Sequence, residues 1–132
     1  MIRTSALTLA VVLALMGGTA RADGEKTYDS VCSACHASGV AGAPKVGERK
    51  VWGPLIKEGQ AILTAHGYVG VRAMPPKGGK PDLSLEDFAS ALVVMVNRSG
   101  GNWTTPDDKR LQAIRAEIVK REKELAAKGA GK

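Results

Sequence analysis

Two cysteines and a histidine stand within five residues of one another, as Cys32, Cys35 and His36. In this C-x-x-C-H spacing the two thiols can add across the vinyl groups on one side of a porphyrin, and the adjacent imidazole can present a ring nitrogen to the iron. The motif therefore predicts covalent attachment of one haem c. A simple disulfide or a thioredoxin-like redox pair is the alternative. A thioredoxin-like site needs a strand before the motif and a β-α-β pattern around it, and the sequence shows neither.

The iron needs a sixth ligand or stays open, and the candidates are Met74 and His66, since the other methionines fall in the N-terminal segment or in a predicted helix. Met74 is followed by Pro75 and Pro76, which fix the backbone directly after the thioether. A neutral sulfur ligand favours ferrous iron and raises the reduction potential. His66 is expected in the last turn of a helix, where histidine is usually exposed. Met74 is the favoured ligand; a methionine that only covers the core is the alternative.

The N-terminus has the pattern of a secretory signal peptide over residues 1–22. Arg3 supplies the positive charge, residues 5–16 are apolar but too few for a comfortable membrane span, and residues 20–22 form an A-x-A cleavage site. An uncleaved membrane anchor is the alternative. The mature chain is expected to begin at Asp23, to have no transmembrane span and to be periplasmic.

Composition restricts the class of protein further. With 44% hydrophobic and 24% charged residues, the chain is too apolar to be disordered throughout. Two cysteines exclude a disulfide-rich scaffold and a four-cysteine zinc site. The chain has only two Trp, two Tyr and one Phe, so it has few aromatic side chains with which to fill a core. A buried porphyrin is therefore expected to supply apolar bulk. The net charge of +6 does not indicate nucleic-acid binding in an exported haem protein.

The elements that must position these residues are all helical. No alternating apolar run predicts a strand. The first helix, capped by Asp23, ends within the C-x-x-C-H motif, at about Ala34. The second begins at Pro54 and stops at Gly67, and the third begins with a capping box at Ser84. The four predicted helices run over about 24–34, 54–66, 84–99 and 105–127.

A change in composition near Pro106 divides the mature chain into a haem domain, 23–105, and a C-terminal helical extension, 106–132. The extension predicts an amphipathic helix with a narrow apolar stripe. About 20 residues with such a stripe are marginal alone in water, so the helix should pack on the haem domain, dock on another subunit or self-associate. The stripe consists of Leu111, Ile114, Ile118 and Leu125.

Several motifs together resemble the class I c-type cytochromes of the cytochrome c5 type. The similarity extends from Asp23 to about Gly101 and does not include residues 103–132. Members of the group often carry a second cysteine pair, and here no cysteine follows Cys35. The matching motifs are G-x-x-x-Y ahead of C-x-x-C-H (24–36), G-A-P-K-V-G (42–47), W-x-P (52–54) and M-P-P-K-G-G (74–79).

The resemblance implies a small all-α fold wrapped around one haem, with His36 and Met74 as axial iron ligands. It also implies that the Pro44 carbonyl accepts the Nδ1–H of His36, the type of bond that orients a metal-bound imidazole. Trp52 is expected either to donate its indole N–H to a haem propionate or to fill the core.

The expected function is one-electron transfer between redox proteins, and not enzymatic catalysis. Three lysines, Lys45, Lys77 and Lys80, are candidates for a positive rim that steers an acidic partner, with an ordinary solvated surface as the alternative. A peroxidase-like haem enzyme or a small-ligand sensor, with Met74 absent from the iron or displaceable, is the alternative function.

Overall fold

The computed structural model describes residues 20–130, and these form the all-α fold that the sequence predicts. Most of the predicted signal peptide, residues 1–19, lies outside the described residues. Between residues 20 and 130 there is no strand, and no helix is long and apolar enough to cross a membrane. The elements are α1 (Ala20–Thr27), a π-helical turn (Tyr28–Cys32), α2 (Ser33–His36), α3 (Arg49–Lys57), α4 (Gln60–Val69), α5 (Leu85–Arg98) and α6 (Asp108–Ala130), with 3₁₀ turns at Val40–Gly42 and Pro76–Gly79.

Helix α5 forms the centre of the core, and its predicted capping residue is confirmed. The Ser84 hydroxyl accepts a hydrogen bond from the Asp87 amide at 3.1 Å, and the helix ends just before Gly100, whose φ is +104°. Nine consecutive residues of α5, 88–96, are buried, which is more than one amphipathic face, because other elements cover the helix on several sides. The predicted apolar positions, all buried, are Leu85, Phe88, Ala89, Leu92, Val93 and Val96.

The first helical segment begins earlier than predicted and does not use Asp23 as a cap. It starts at Ala20, so Asp23 lies inside α1, and it continues to His36. At Gly24 the segment crosses α5 closely, because a β-carbon there would lie 2.7 Å from the Ser90 carbonyl oxygen. The π-helical turn, in which the Ser33 amide donates to the Tyr28 carbonyl, widens the helix just before α2.

The predicted second helix, 54–66, is wrong in its bounds, since two helices occupy this region. Pro54 lies inside α3 and does not begin it, and Gly59, with φ of +92°, separates α3 from α4. Gly67 does not stop α4, which continues to Val69 and ends at Gly70, where φ is +106°. The positive φ values at Gly59 and Gly70 explain why these glycines, and not Gly67, end the helices.

Helix α6 packs on α4, and its first half adds to the core. Its N-cap is Asp107, whose carboxylate accepts from the Arg110 amide at 2.8 Å, so the helix begins at Asp108, later than the predicted start at 105. Ile114 is fully buried against Leu85 and Ala89 of α5. Beyond Arg121, the residues of α6 are exposed. The first three residues of the predicted apolar stripe therefore pack within the chain itself, since Leu111, Ile114 and Ile118 belong to this cluster. The fourth, Leu125, is 38% exposed.

Candidate functional site

His36 ends α2 with one ring nitrogen already engaged. Its Nδ1 lies 2.9 Å from the Pro44 carbonyl oxygen, the contact that the resemblance implies. Because a carbonyl only accepts hydrogen bonds, this contact assigns the imidazole hydrogen to Nδ1 and leaves a lone pair on Nε2. The Val46 amide also donates to the His36 carbonyl at 2.8 Å, so the 44–46 loop contacts this residue twice. The ring is 8% exposed and is held in one orientation, as a metal-binding imidazole requires.

The two thiols stand on the same stretch of helix and are not joined in a disulfide. Cys35 is exposed, whereas Cys32 is partly buried against the core cluster around Tyr28 and Trp52. Burial raises the pKa of the Cys32 thiol to about 11. A redox-active thioredoxin-like cysteine needs a lowered pKa, so this environment argues against that alternative. Two unbridged thiols beside a free imidazole nitrogen are the donor set that covalent haem attachment requires, so the residues present fit the group.

Met74 is held in a tight turn. Its amide donates to the Val71 carbonyl at 2.9 Å, and the Val71 amide donates back to the Met74 carbonyl at 3.2 Å. The 3₁₀ turn that follows, Pro76–Gly79, lies against the π-helical turn: a β-carbon on Gly78 would be 3.3 Å from Cγ1 of Val31. Since Val31 immediately precedes Cys32, the structure brings the Met74 loop beside the helix that carries C-x-x-C-H.

One glycine of α4 makes room for this arrangement. A β-carbon on Gly67 would lie 2.8 Å from Cζ of Phe88 and 3.7 Å from the methyl carbon of Met74. The Phe88 ring is 5% exposed and packs edge-on against Tyr68, with ring centroids 5.6 Å apart. Gly67 and Phe88 thus shape the surroundings of Met74. The sequence analysis missed this role because it interpreted Gly67 as a helix stop.

Trp52 has its only hydrogen-bond donor already paired. The indole N–H donates to the Lys45 carbonyl at 2.9 Å, and the side chain is 2% exposed. Its ring centroid lies 6.3 Å from that of His36. The Trp52 side chain therefore lies in the core, and its indole N–H bonds to the protein backbone. By bonding to Lys45, Trp52 also fixes the loop whose Pro44 carbonyl contacts His36.

His66, the other ligand candidate, is half-buried and contacts a carboxylate. Its Nδ1 is 3.0 Å from a carboxylate oxygen of Glu58, and the two side chains are 32% and 35% exposed. The pair connects α4 to the end of α3 across Gly59. The sequence favours an exposed histidine at this position, and the structure places His66 in the last turn of α4, as predicted, but only partly exposed.

The three candidate rim lysines differ in their surroundings. Lys80 is paired with Asp82 at 3.1 Å, and this contact holds the pKa of the Asp82 carboxyl below its usual value. Lys77 donates to the Pro81 carbonyl and lies 5.0 Å from the centre of the Tyr68 ring. Within residues 20–130, Lys45 and Lys77 form no ion pair. Their charges are therefore less neutralised than that of Lys80.

Comparisons with known proteins agree on one family. A family model described as cytochrome C oxidase, cbb3-type, subunit III, matches residues 19–93 and so ends before α6. The chain is 42% identical over 82 residues to cytochrome c-555 of Chlorobaculum thiosulfatiphilum, which covers 59% of this chain and 95% of that protein. It is 38% identical over 78 residues to cytochrome c5 of Azotobacter vinelandii, covering 58% of this chain and 93% of the relative.

A solved structure is similar as well. It comes from a crystal structure of an electron transfer complex of nitrite reductase with cytochrome c. The matching chain is 40% identical, with a TM-score of 0.56, over 58% of this chain and 94% of that one.

Proposed function

The chain belongs to the class I c-type cytochromes of the cytochrome c5 type, and we propose that it is an exported electron carrier whose iron is bound by His36 and Met74. Membership of this family implies one covalently attached haem c and an electron carrier rather than an enzyme. When bound, the haem supplies a one-electron ferric/ferrous couple. The protein's contribution is attachment, ligation and control of solvent access.

The observation that carries this proposal is the orientation of the His36 ring beside two unbridged cysteines. Its Nδ1 contacts the Pro44 carbonyl, its Nε2 keeps a free lone pair, and the unbridged thiols of Cys32 and Cys35 precede it in the same helix. Cys32 and Cys35 would hold the haem through their thiols, and His36 would bind its iron through Nε2. The Pro44 carbonyl fixes the ring orientation and increases the basicity of Nε2.

Met74 is proposed as the ligand on the opposite face. Support comes from its half-buried position, its paired turn with Val71, and the contact of the following loop with the residue before Cys32. With protein atoms in both axial positions, the iron would have no vacancy for oxygen or substrate. Rigid ligation also limits the rearrangement that accompanies a change of one unit of charge.

Two variants of the holoprotein test the ligand assignment. Ferric haem with a methionine ligand has a weak far-red absorption band. We expect Met74→Leu to lose this band and to bind carbon monoxide when reduced, because the sulfur is gone. The matched control, His66→Gln, removes the other candidate and should keep the band. If the natural protein lacks the band, and reduced His66→Gln binds carbon monoxide while reduced Met74→Leu does not, the ligand is His66 and the assignment of Met74 is wrong.

We also propose that residues 1–22 direct export to the periplasm and that the mature chain begins at Asp23. The export pattern in the sequence supports this proposal. Mass spectrometry of the holoprotein purified from the periplasm tests it. A chain that retains residues 1–22 or that stays in the cytoplasm would contradict it.

The proposed partners are redox proteins with acidic docking surfaces. Lys45 and Lys77 support this proposal, because neither charge is neutralised by an ion pair within residues 20–130. The exposed end of α6, residues 122–130, is proposed as a second contact region, for another subunit or another copy. Sedimentation of the holoprotein over a range of concentrations tests self-association, which is excluded if the mass stays that of a monomer.

A further inference from the structure

We propose that Arg121 in α6 is a positioning residue that holds the Met74 loop in the ligating conformation. This inference rests on the proposed ligation by Met74. It concerns a helix that the family model does not reach, since the match ends at residue 93. The proposal assigns α6 a role in the properties of the iron site in addition to its packing on α4.

The first step is the contact between α6 and the end of α4. The guanidinium Nη2 of Arg121 donates to the Gly70 carbonyl at 3.4 Å. Gly70 is the residue at which α4 ends, with φ of +106° and ψ of +141°. Its amide donates to the His66 carbonyl at 3.0 Å. The Arg121 contact therefore reaches the point where the chain leaves α4 for the Met74 turn.

The second step connects Gly70 to both sides of Met74. On one side, the next residue, Val71, exchanges two backbone hydrogen bonds with Met74. On the other side, Gly70 is packed so closely against Pro76 that an added β-carbon would lie 3.2 Å from the proline Cδ. A displacement of Gly70 would thus be transmitted to Met74 through Val71 and through the Pro76 contact.

The third step is that Arg121 is poorly explained by stability alone. Its Nε is buried and has no hydrogen-bond partner among the described residues. A buried donor without a partner costs free energy, and more so when the group is charged. An apolar side chain of similar length would avoid this cost and still cover α4. If Arg121 only covered α4, Arg121→Met would therefore leave the fold intact or stabilise it, and it would have no effect on the iron.

A second arginine of α6 provides a matched control. Arg115 forms an exposed ion pair with Glu86 of α5, with the two side chains 57% and 53% exposed. It lies on the same helix but contacts α5 and not the end of α4. Arg115→Met removes the same charge from α6 and should leave the Met74 loop undisturbed.

The test uses ferric holoprotein and imidazole, a small ligand that competes with the methionine sulfur for the iron. Imidazole affinity is measured by loss of the far-red band, and the thermal midpoint is measured in parallel. We expect Arg121→Met to bind imidazole about fivefold more tightly than the natural protein, since one hydrogen bond contributes about 1 kcal/mol. Arg121→Lys, which keeps a charged donor, should lie between the two. Arg115→Met should stay within about twofold of the natural protein.

Two outcomes would contradict the proposal, and they are distinguishable. If the natural protein shows the far-red band but Arg121→Met and Arg115→Met bind imidazole equally, Arg121 does not position the loop, and the ligand assignment stands. If the natural protein has no far-red band, the ligation by Met74 fails and the role of Arg121 fails with it. In the first case the thermal midpoint shows what Arg121 does instead. An unchanged or higher midpoint in Arg121→Met means that the side chain only covers α4, and a lower midpoint means that its contacts stabilise the fold.

Discussion

Replacing Gly67 by alanine sets two opposing effects against each other in α4. Alanine is favoured over glycine in a helix interior by about 1 kcal/mol. The new β-carbon, however, would lie 2.8 Å from Cζ and 3.3 Å from Cε1 of Phe88. Because the ring is 5% exposed, it has no open space to enter. Overpacking of this kind costs about 1–3 kcal/mol, so we expect Gly67→Ala to lower the free energy of unfolding by about 0–2 kcal/mol.

A double-mutant cycle identifies Phe88 as the cause. Phe88→Leu removes the Cζ atom, so Gly67→Ala in that background should stabilise the protein through helix propensity. Gly129→Ala provides a control at a helical glycine with no atom within 4 Å of the added carbon, and it should be neutral or slightly stabilising. Chemical denaturation of the four holoproteins of the cycle, and of the control, measures these differences.

The same change should reach the iron. Gly67 also lies beside Met74, since the added carbon would be 3.7 Å from the Met74 methyl carbon, so a shift of α4 away from Phe88 would change the surroundings of the thioether. We expect a weaker far-red band and tighter imidazole binding in Gly67→Ala, with recovery when Phe88 is leucine. The reasoning is refuted if Gly67→Ala stabilises the protein by about 1 kcal/mol in both backgrounds and leaves the far-red band unchanged.

Three further changes test other parts of the structure. Gly24→Ala should lower the free energy of unfolding by about 1–2 kcal/mol, because its β-carbon would meet the Ser90 carbonyl oxygen and force α1 away from α5; an unchanged denaturation midpoint would contradict this crossing. Lys77→Gln should slow electron exchange with an acidic partner at low ionic strength more than Lys80→Gln, since Lys80 is already paired; equal rates in stopped-flow experiments would remove the steering proposal. A chain with alanine at both motif cysteines should be poorly folded, because the porphyrin supplies apolar surface; a native-like circular dichroism spectrum with cooperative melting would sink that expectation.

Local signals in the sequence are enough to predict helix α5 and to identify the C-x-x-C-H motif. The Ser84 capping box and the apolar periodicity of α5 act within a few residues of the chain, and the structure retains both. The motif likewise needs only five neighbouring residues. The contact between His36 and Pro44 followed from the resemblance to the family, since the two residues are eight apart and no local pattern links them.

The errors fall where packing between distant elements decides the outcome. Gly67 has the sequence context of a helix stop, but the Phe88 ring occupies the space beside it and α4 continues. Pro54 was expected to begin a helix, yet α3 starts at Arg49 and buries Trp52 in the core. Arg121 interrupts an apolar stripe in the sequence, and only the folded chain shows that it reaches the carbonyl of Gly70.

The central claim, a closed iron site that carries electrons, is tested most directly by the optical spectrum of the exported protein in both oxidation states, repeated with carbon monoxide. The account predicts a covalent c-type spectrum, a far-red band in the ferric state and no response of the ferrous state to carbon monoxide. A missing band together with carbon monoxide binding would show an open iron and would contradict the assignment of Met74 as a ligand.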